Sequence, residues 1–166
     1  MHLVTFELRA EPEAAGAVER RPAAARFTDS VLGLEGLDLL RPGTRRLGAI
    51  VPTGPHAGDV LDLNRALAVR LATEDAGAPE AEADSLLPTS MLPLLSAGAS
   101  SLAVARDAFT WAIESLRRFD RPDLERGAVV LPRRRVRLHA PVPRPGKVIG
   151  VARNYPAHAV ERGGER

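Results

Sequence analysis

The chemistry that residue type and spacing can support lies in one run near the C-terminal end, KVIGVARNYPAHAVERGG at residues 147–164. Within it, His158 and Glu161 are three residues apart, and Pro156 precedes the histidine by two. If residues 156–162 form a helical turn opened by Pro156, at the position proline favours, both side chains fall on one face. A carboxylate bonded to one imidazole nitrogen fixes the tautomer and leaves the other nitrogen free to accept a proton. Such a pair is suited to activate water as a general base. The same His-x-x-Glu spacing is common on solvated helices, so spacing alone leaves both readings open.

The elements that would position this pair are legible around it. A short apolar strand over 148–151 runs into Asn154-Tyr155, and the proline-rich stretch 140–146 before it reads as a stiff connector. The expected division is an N-terminal domain over 1–142 and the start of a second, truncated domain over 143–166. Upstream, residues 3–8 read as a first strand and 10–26 as an irregular insertion. Residues 46–51 and 60–63 read as a hairpin around the turn-forming sequence PTGPHAG. Asn64 is a candidate cap for a helix over 65–72, and the Ala-, Glu- and Gly-rich stretch 73–84 reads as a flexible loop. A short helix is expected from Thr89 or Ser90 to Leu95, closed by Gly98. A longer one over 101–119 carries Leu102, Ala105, Phe109, Ala112, Ile113 and Leu116 on one face, with Trp111 at its edge. Short strands at 129–131 and 136–138 follow.

The fold class expected from this order is α+β: a small, mainly antiparallel sheet with two or three helices, then the first strand and turn of an incomplete β-rich domain. The strand at 148–151 would lack the sheet it normally joins. An unpaired apolar edge of that kind leaves the segment either mobile or paired with a second copy in a homodimer.

Composition narrows the function classes. The 166 residues are 45% hydrophobic, 27% charged and only 4% aromatic, a globular balance whose core must come from Leu, Val and Ala. The absence of cysteine excludes disulfides, thiolate metal sites and a cysteine nucleophile, and fits a reducing compartment. The start MHLVTFE has no signal-peptide character, and no apolar run approaches the roughly 20 residues of a membrane span. The expectation is a cytoplasmic protein with no membrane partner. Residues 101–166 hold 14 Lys and Arg against 7 Asp and Glu, while the first 100 hold 9 against 14. The basic half contains Arg133, Arg134, Arg135 and Arg137, but no aromatic residue stands beside them to stack a base, so no nucleic-acid partner is expected. Their alternation reads as a strand with one solvated face.

The run PRPGKVIGVARNYPAHAVERGG resembles the opening of the catalytic domain of the fumarylacetoacetate hydrolase family. There a Pro-Gly-Lys turn leads through a buried strand to Asn-Tyr, then x-x-His and x-x-Glu; the matching residues are Pro145, Gly146, Lys147, Asn154, Tyr155, His158 and Glu161. Upstream, LVTFE at 3–7, RLGAIVP at 46–52 and VLDLNRALA at 60–68 are similar to the small N-terminal domain of many bacterial members. The resemblance implies a Mg²⁺- or Mn²⁺-dependent enzyme acting on dicarbonyl or 2-oxo acid compounds, such as acylpyruvates, ring-cleavage products of aromatic compounds or oxaloacetate-like acids. The family includes carbon–carbon bond hydrolases, decarboxylases and isomerases. By the same resemblance His158 would activate water, Glu161 would orient His158, and Arg153, Asn154 and Tyr155 would bind substrate.

Two positions depart from the family pattern: Ala152 stands where Gly is common, and Ala157 where Asp is frequent. The family's metal carboxylates, a Glu-x-Glu pair and a later Asp, have no counterpart between the motif and Arg166, and Glu80-Ala81-Glu82 lies upstream of it. Three hard oxygen ligands are needed to hold the metal. The expectation is therefore no metal ligand within these residues, no cofactor bound to this chain alone, and no activity from it alone. The alternative is a noncatalytic remnant or interaction domain derived from the family.

Overall fold

The computed structural model describes residues 1–9, 43–74, 76–118, 129–142, 145–147, 149 and 150. The sheet has five strands: β1 (His2–Leu8), β2 (Arg45–Ile50), β3 (Val60–Asp62), β4 (Val130–Leu131) and β5 (Val136–His139), in the order β4-β3-β2-β1-β5. Every neighbouring pair is antiparallel. Among the described residues four helices lie between β3 and β4 in the chain: α1 (Leu63–Thr73), α2 (Pro79–Leu86), α3 (Met91–Ala97) and α4 (Ala99–Arg118). The α+β class with a mainly antiparallel sheet is the one expected.

Strand alternation divides the apolar residues between two faces. Leu47 and Ala49 pack with Leu63, Leu67, Leu87, Leu94 and Ala105 from the helices, and Leu61 and Val130 pack with Val69, Ala112 and Ile113. On the other face Phe6, Val60, Leu131 and Val136 form a buried cluster flanked by Val4, Leu8, Ile50 and Leu138. Gly48 is what lets the Phe6 ring lie against the sheet. A Cβ there would stand 2.9 Å from two ring carbons and 2.6 Å from the Leu61 carbonyl oxygen.

The hairpin between β2 and β3 forms with the register Gly48↔Asp62, Ala49↔Leu61, Ile50↔Val60. Gly54 and Gly58, at φ of 91° and 88°, supply the left-handed conformations the intervening turn needs. α4 packs as its periodicity predicts: Ala105, Ala112 and Ile113 are buried, Leu102, Phe109 and Leu116 are partly so, and Trp111 touches the core edge. Alanine at the contact positions lets its backbone approach α1 closely.

Three expectations are corrected. The stretch expected as a loop contains α2, because Pro79 sits at the favoured first helical position and Glu80 and Glu82 complement the positive helix start. That raises the helix count among the described residues to four. α1 is capped by Asp62, whose carboxylate accepts from the Arg65 backbone N–H, and Asn64 already lies inside the helix. The arginine run is not a continuous strand: Arg133–Arg135 form a 3-10 turn, closed by a bond from the Arg135 N–H to the Pro132 carbonyl, and β5 starts only at Val136. Pro132 at the start of this stretch favours the turn. Among the described residues, no helix is long and apolar enough to cross a membrane.

Candidate functional site

Arg153, Asn154, Tyr155, His158 and Glu161 all lie outside the described residues, as do Val148 and Val151 of the expected strand. Of the run that leads to them, Pro145, Gly146, Lys147, Ile149 and Gly150 are described, and all five are exposed. Ile149 and Gly150 belong to no strand, and Ile149 is 87% exposed. The sheet edge nearest in sequence is β5, which pairs β1 through Thr5↔His139 to Leu8↔Val136. The described chain leaves that edge with a bond from the Thr5 hydroxyl to the Pro141 carbonyl oxygen, 2.8 Å long.

The polar constellation that the fold does assemble is at the junction of β2, β3, α1 and α2. Arg46 grips Asp62 with two nitrogens, Nε to Oδ2 at 2.5 Å and Nη2 to Oδ1 at 3.1 Å. Asp62 is fully buried, and its Oδ1 also accepts from the Arg65 backbone at 3.1 Å. Asn64 extends the network: its Oδ1 accepts from Arg46 at 3.3 Å, and its amide nitrogen donates to Asp84 at 3.0 Å and to the Leu87 carbonyl at 2.9 Å. Burial alone would lower the pKa of the Arg46 guanidinium, but the charge and hydrogen bonds of Asp62, aided by the Asp84 charge, outweigh it and raise the group above its ordinary value.

This network locks the ends of these elements together. The Asp62 carboxylate is used by Arg46 and by the helix cap, and Asn64 ties α1 to the end of α2. Sequence reasoning missed it, although Arg46, Asp62 and Asn64 all fall within the RLGAIVP and VLDLNRALA segments. An acidic residue at the strand–helix junction was the available signal.

A second ionisable pair crosses β1 and β5, where His139 Nε2 lies 3.1 Å from Glu7 Oε2. The two atoms do not form a hydrogen bond in this arrangement. The basic run is anchored at its ends: the Arg133 backbone N–H donates to Asp59 at 2.8 Å and its guanidinium to the Val136 carbonyl, which also accepts from Arg9.

A divalent metal of the kind the resemblance implies needs several oxygen or imidazole donors converging on one point. Among the described residues no group of three or more His, Asp and Glu does so. Glu80 and Glu82 are both in the first turn of α2, two positions apart, a spacing that puts them on different faces of a helix. The described residues do not fit the metal.

Comparison with known proteins adds one relation. The chain is 34% identical over 80 residues to oxaloacetate tautomerase YisK of Bacillus subtilis, a match covering 48% of this chain and 24% of the tautomerase. No protein-family model matches the chain, and no solved structure does either. What the tautomerase does is a property of that protein, and the matched stretch is about a quarter of it.

Proposed function

We propose that this chain is the N-terminal part of a fumarylacetoacetate hydrolase family protein that acts on a dicarbonyl or 2-oxo acid. The observation carrying this reading is the 34% identity over 80 residues to the tautomerase. The run Asn154-Tyr155-x-x-His158-x-x-Glu161 agrees with it. Residues 1–142 serve as a scaffold domain and 143–166 open the catalytic domain, with the Thr5–Pro141 bond marking the exit from the scaffold.

In this reading Glu161 fixes the tautomer of His158, and His158 moves the proton. Arg153 and Tyr155 hold the substrate carboxylate or carbonyl, with Asn154 beside them. A Mg²⁺ or Mn²⁺ ion, when bound, would polarise neighbouring carbonyl oxygens, with donors other than the described residues. Residues 1–166 alone are proposed to be inactive because no Glu-x-Glu pair or later Asp follows the motif within them, and the whole protein is proposed to be cytoplasmic. Between carbon–carbon hydrolysis and keto–enol isomerisation, the name of the relative favours the second. For a tautomerase His158 would move a proton between carbon and oxygen without activating water.

The test begins with the intact mass of the native product, detected with an antibody to residues 1–142. If it is well above 17.8 kDa, the purified product is assayed with Mg²⁺ for oxaloacetate keto–enol exchange and for acylpyruvate cleavage, alongside His158→Ala and Glu161→Gln. Turnover that falls at least about a hundredfold in His158→Ala supports the reading. A native product of 17.8 kDa, or a larger one whose turnover is unchanged in His158→Ala, overturns it and leaves the noncatalytic remnant.

A further inference from the structure

A cavity of about 230 Å³ opens between the turn after β2 and the last turns of α4. Its floor is apolar and firm: Val51 and Ile113 are buried and, with half-buried Leu116, belong to the packed core beneath. Its rim carries the polar residues Thr53, His56 and Arg117 beside Gly54 and Pro55.

The rim is held in place before any ligand arrives. The Val51 N–H donates to the Asp59 carbonyl and the Gly58 N–H to the Val51 carbonyl, both at 2.9 Å, and the Ala57 N–H donates to Gly54 at 3.0 Å. Asp59 approaches His56 Nδ1 to 3.5 Å and accepts the Arg133 backbone N–H at 2.8 Å. Arg117 Nη2 donates to the Thr53 hydroxyl at 3.2 Å, an exposed bond that brings the guanidinium to the mouth of the cavity and uses one of its five donors. A turn backbone that is already ordered reduces the entropy lost on binding.

We propose that this cavity binds a small organic carboxylate: the carboxylate on Arg117 and Thr53, and an apolar body about the size of one ring on Val51, Ile113 and Leu116. An apolar floor with a few convergent polar groups is the form that small-ligand sites take. The size agrees, since an apolar cavity of roughly 150 Å³ accepts benzene, and 230 Å³ leaves room for a carboxylate. A hydrated inorganic anion would gain nothing from the floor. The guanidinium fork, in contrast, matches a carboxylate with two parallel bonds.

The test is a titration of the ¹⁵N-labelled 166-residue chain with benzoate, and with benzamide as its uncharged counterpart, followed by amide shifts. Benzoate should shift Thr53, Gly54 and Ile113 saturably, and benzamide should bind about tenfold more weakly. Arg117→Gln should weaken benzoate binding about tenfold, with an unchanged circular dichroism spectrum showing that the variant is folded. Arg134→Gln, in the exposed 3-10 turn, should leave it unchanged. The proposal is overturned by an absence of saturable shifts, by equal binding of benzamide and benzoate, or by Arg117→Gln and Arg134→Gln having the same effect.

Discussion

Replacing Asp62 should be the most damaging single change of charge in the scaffold. The side chain is fully buried and accepts from two Arg46 nitrogens and from the first turn of α1. Its removal leaves the Arg46 guanidinium, only 15% exposed, without the partner that raises its pKa. Breaking a buried pair in this way costs about 3–5 kcal/mol. Loss of a helix cap adds about 1 kcal/mol, but Oδ1 serves both roles, so the two terms are not independent. For Asp62→Ala we expect a total of about 3–5 kcal/mol, which in a chain of this size lowers Tm by roughly 6–20 °C.

The assay is urea unfolding of the wild type, Asp62→Asn, Arg46→Met and the double variant, monitored by circular dichroism. Asparagine preserves the cap and the shape while removing the charge, so the cycle isolates the ion pair. The double variant should cost less than the sum of the singles by about 1.5 kcal/mol or more, because a buried polar pair replaced on both sides leaves no orphaned charge. The pH dependence has a defined sign. A group whose folded pKa is raised contributes fully below its unfolded value and loses that contribution only as pH rises through the folded one. For Arg46 that window lies above its ordinary value, so the coupling should be constant between about pH 7 and about pH 10. A coupling below about 0.5 kcal/mol would mean that the pair behaves like a solvated surface bridge and would refute the burial argument.

Gly48→Ala should destabilise by about 1–3 kcal/mol, since the new methyl meets a backbone oxygen at 2.6 Å and the Phe6 ring at 2.9 Å; denaturant midpoints check this, and an unchanged midpoint would mean that the strand shifts freely. Leu94→Ala, at a fully buried position between α3 and the core, should lose about 2–5 kcal/mol by the same measurement. Thr5→Val keeps the volume and removes the bond to Pro141, so it should cost about 1 kcal/mol and increase hydrogen exchange at Val142. Unaltered exchange there would show that the hydroxyl does not hold the chain exit.

The fold was legible where one signal dominated. The β-forming residues of 3–8, the turn residues between β2 and β3, and the 3.6-residue stripe of α4 each pointed to the element that forms. It was illegible where composition and position pointed different ways. Around α2, Ala, Glu and Gly suggest a loop by frequency, yet Pro79 followed by Glu80 and Glu82 is a helix start when read in order. Asn64 is a good cap by type, but Asp62 stands two residues earlier, where the strand ends, and takes that role. Residue type sets what a side chain can do, and the element boundary sets which of them does it.

The candidate site divides along the same line. His158 and Glu161 could be proposed from the sequence because their spacing is local, three positions apart in one run. The Arg46–Asp62–Asn64–Asp84 network was missed because its members are up to 38 positions apart and meet only when β2, β3, α1 and α2 close on one another. The two groups should therefore respond differently to substitution in the whole protein. Changes at Asp62 or Arg46 should lower stability and the amount of folded protein, with unchanged turnover per folded molecule. His158→Ala should abolish turnover while leaving the Tm of the scaffold where it was. A loss of turnover in Arg46→Met that exceeds its loss of folded protein would place the lock within reach of the chemistry, and would undo the separation between scaffold and catalytic segment proposed here.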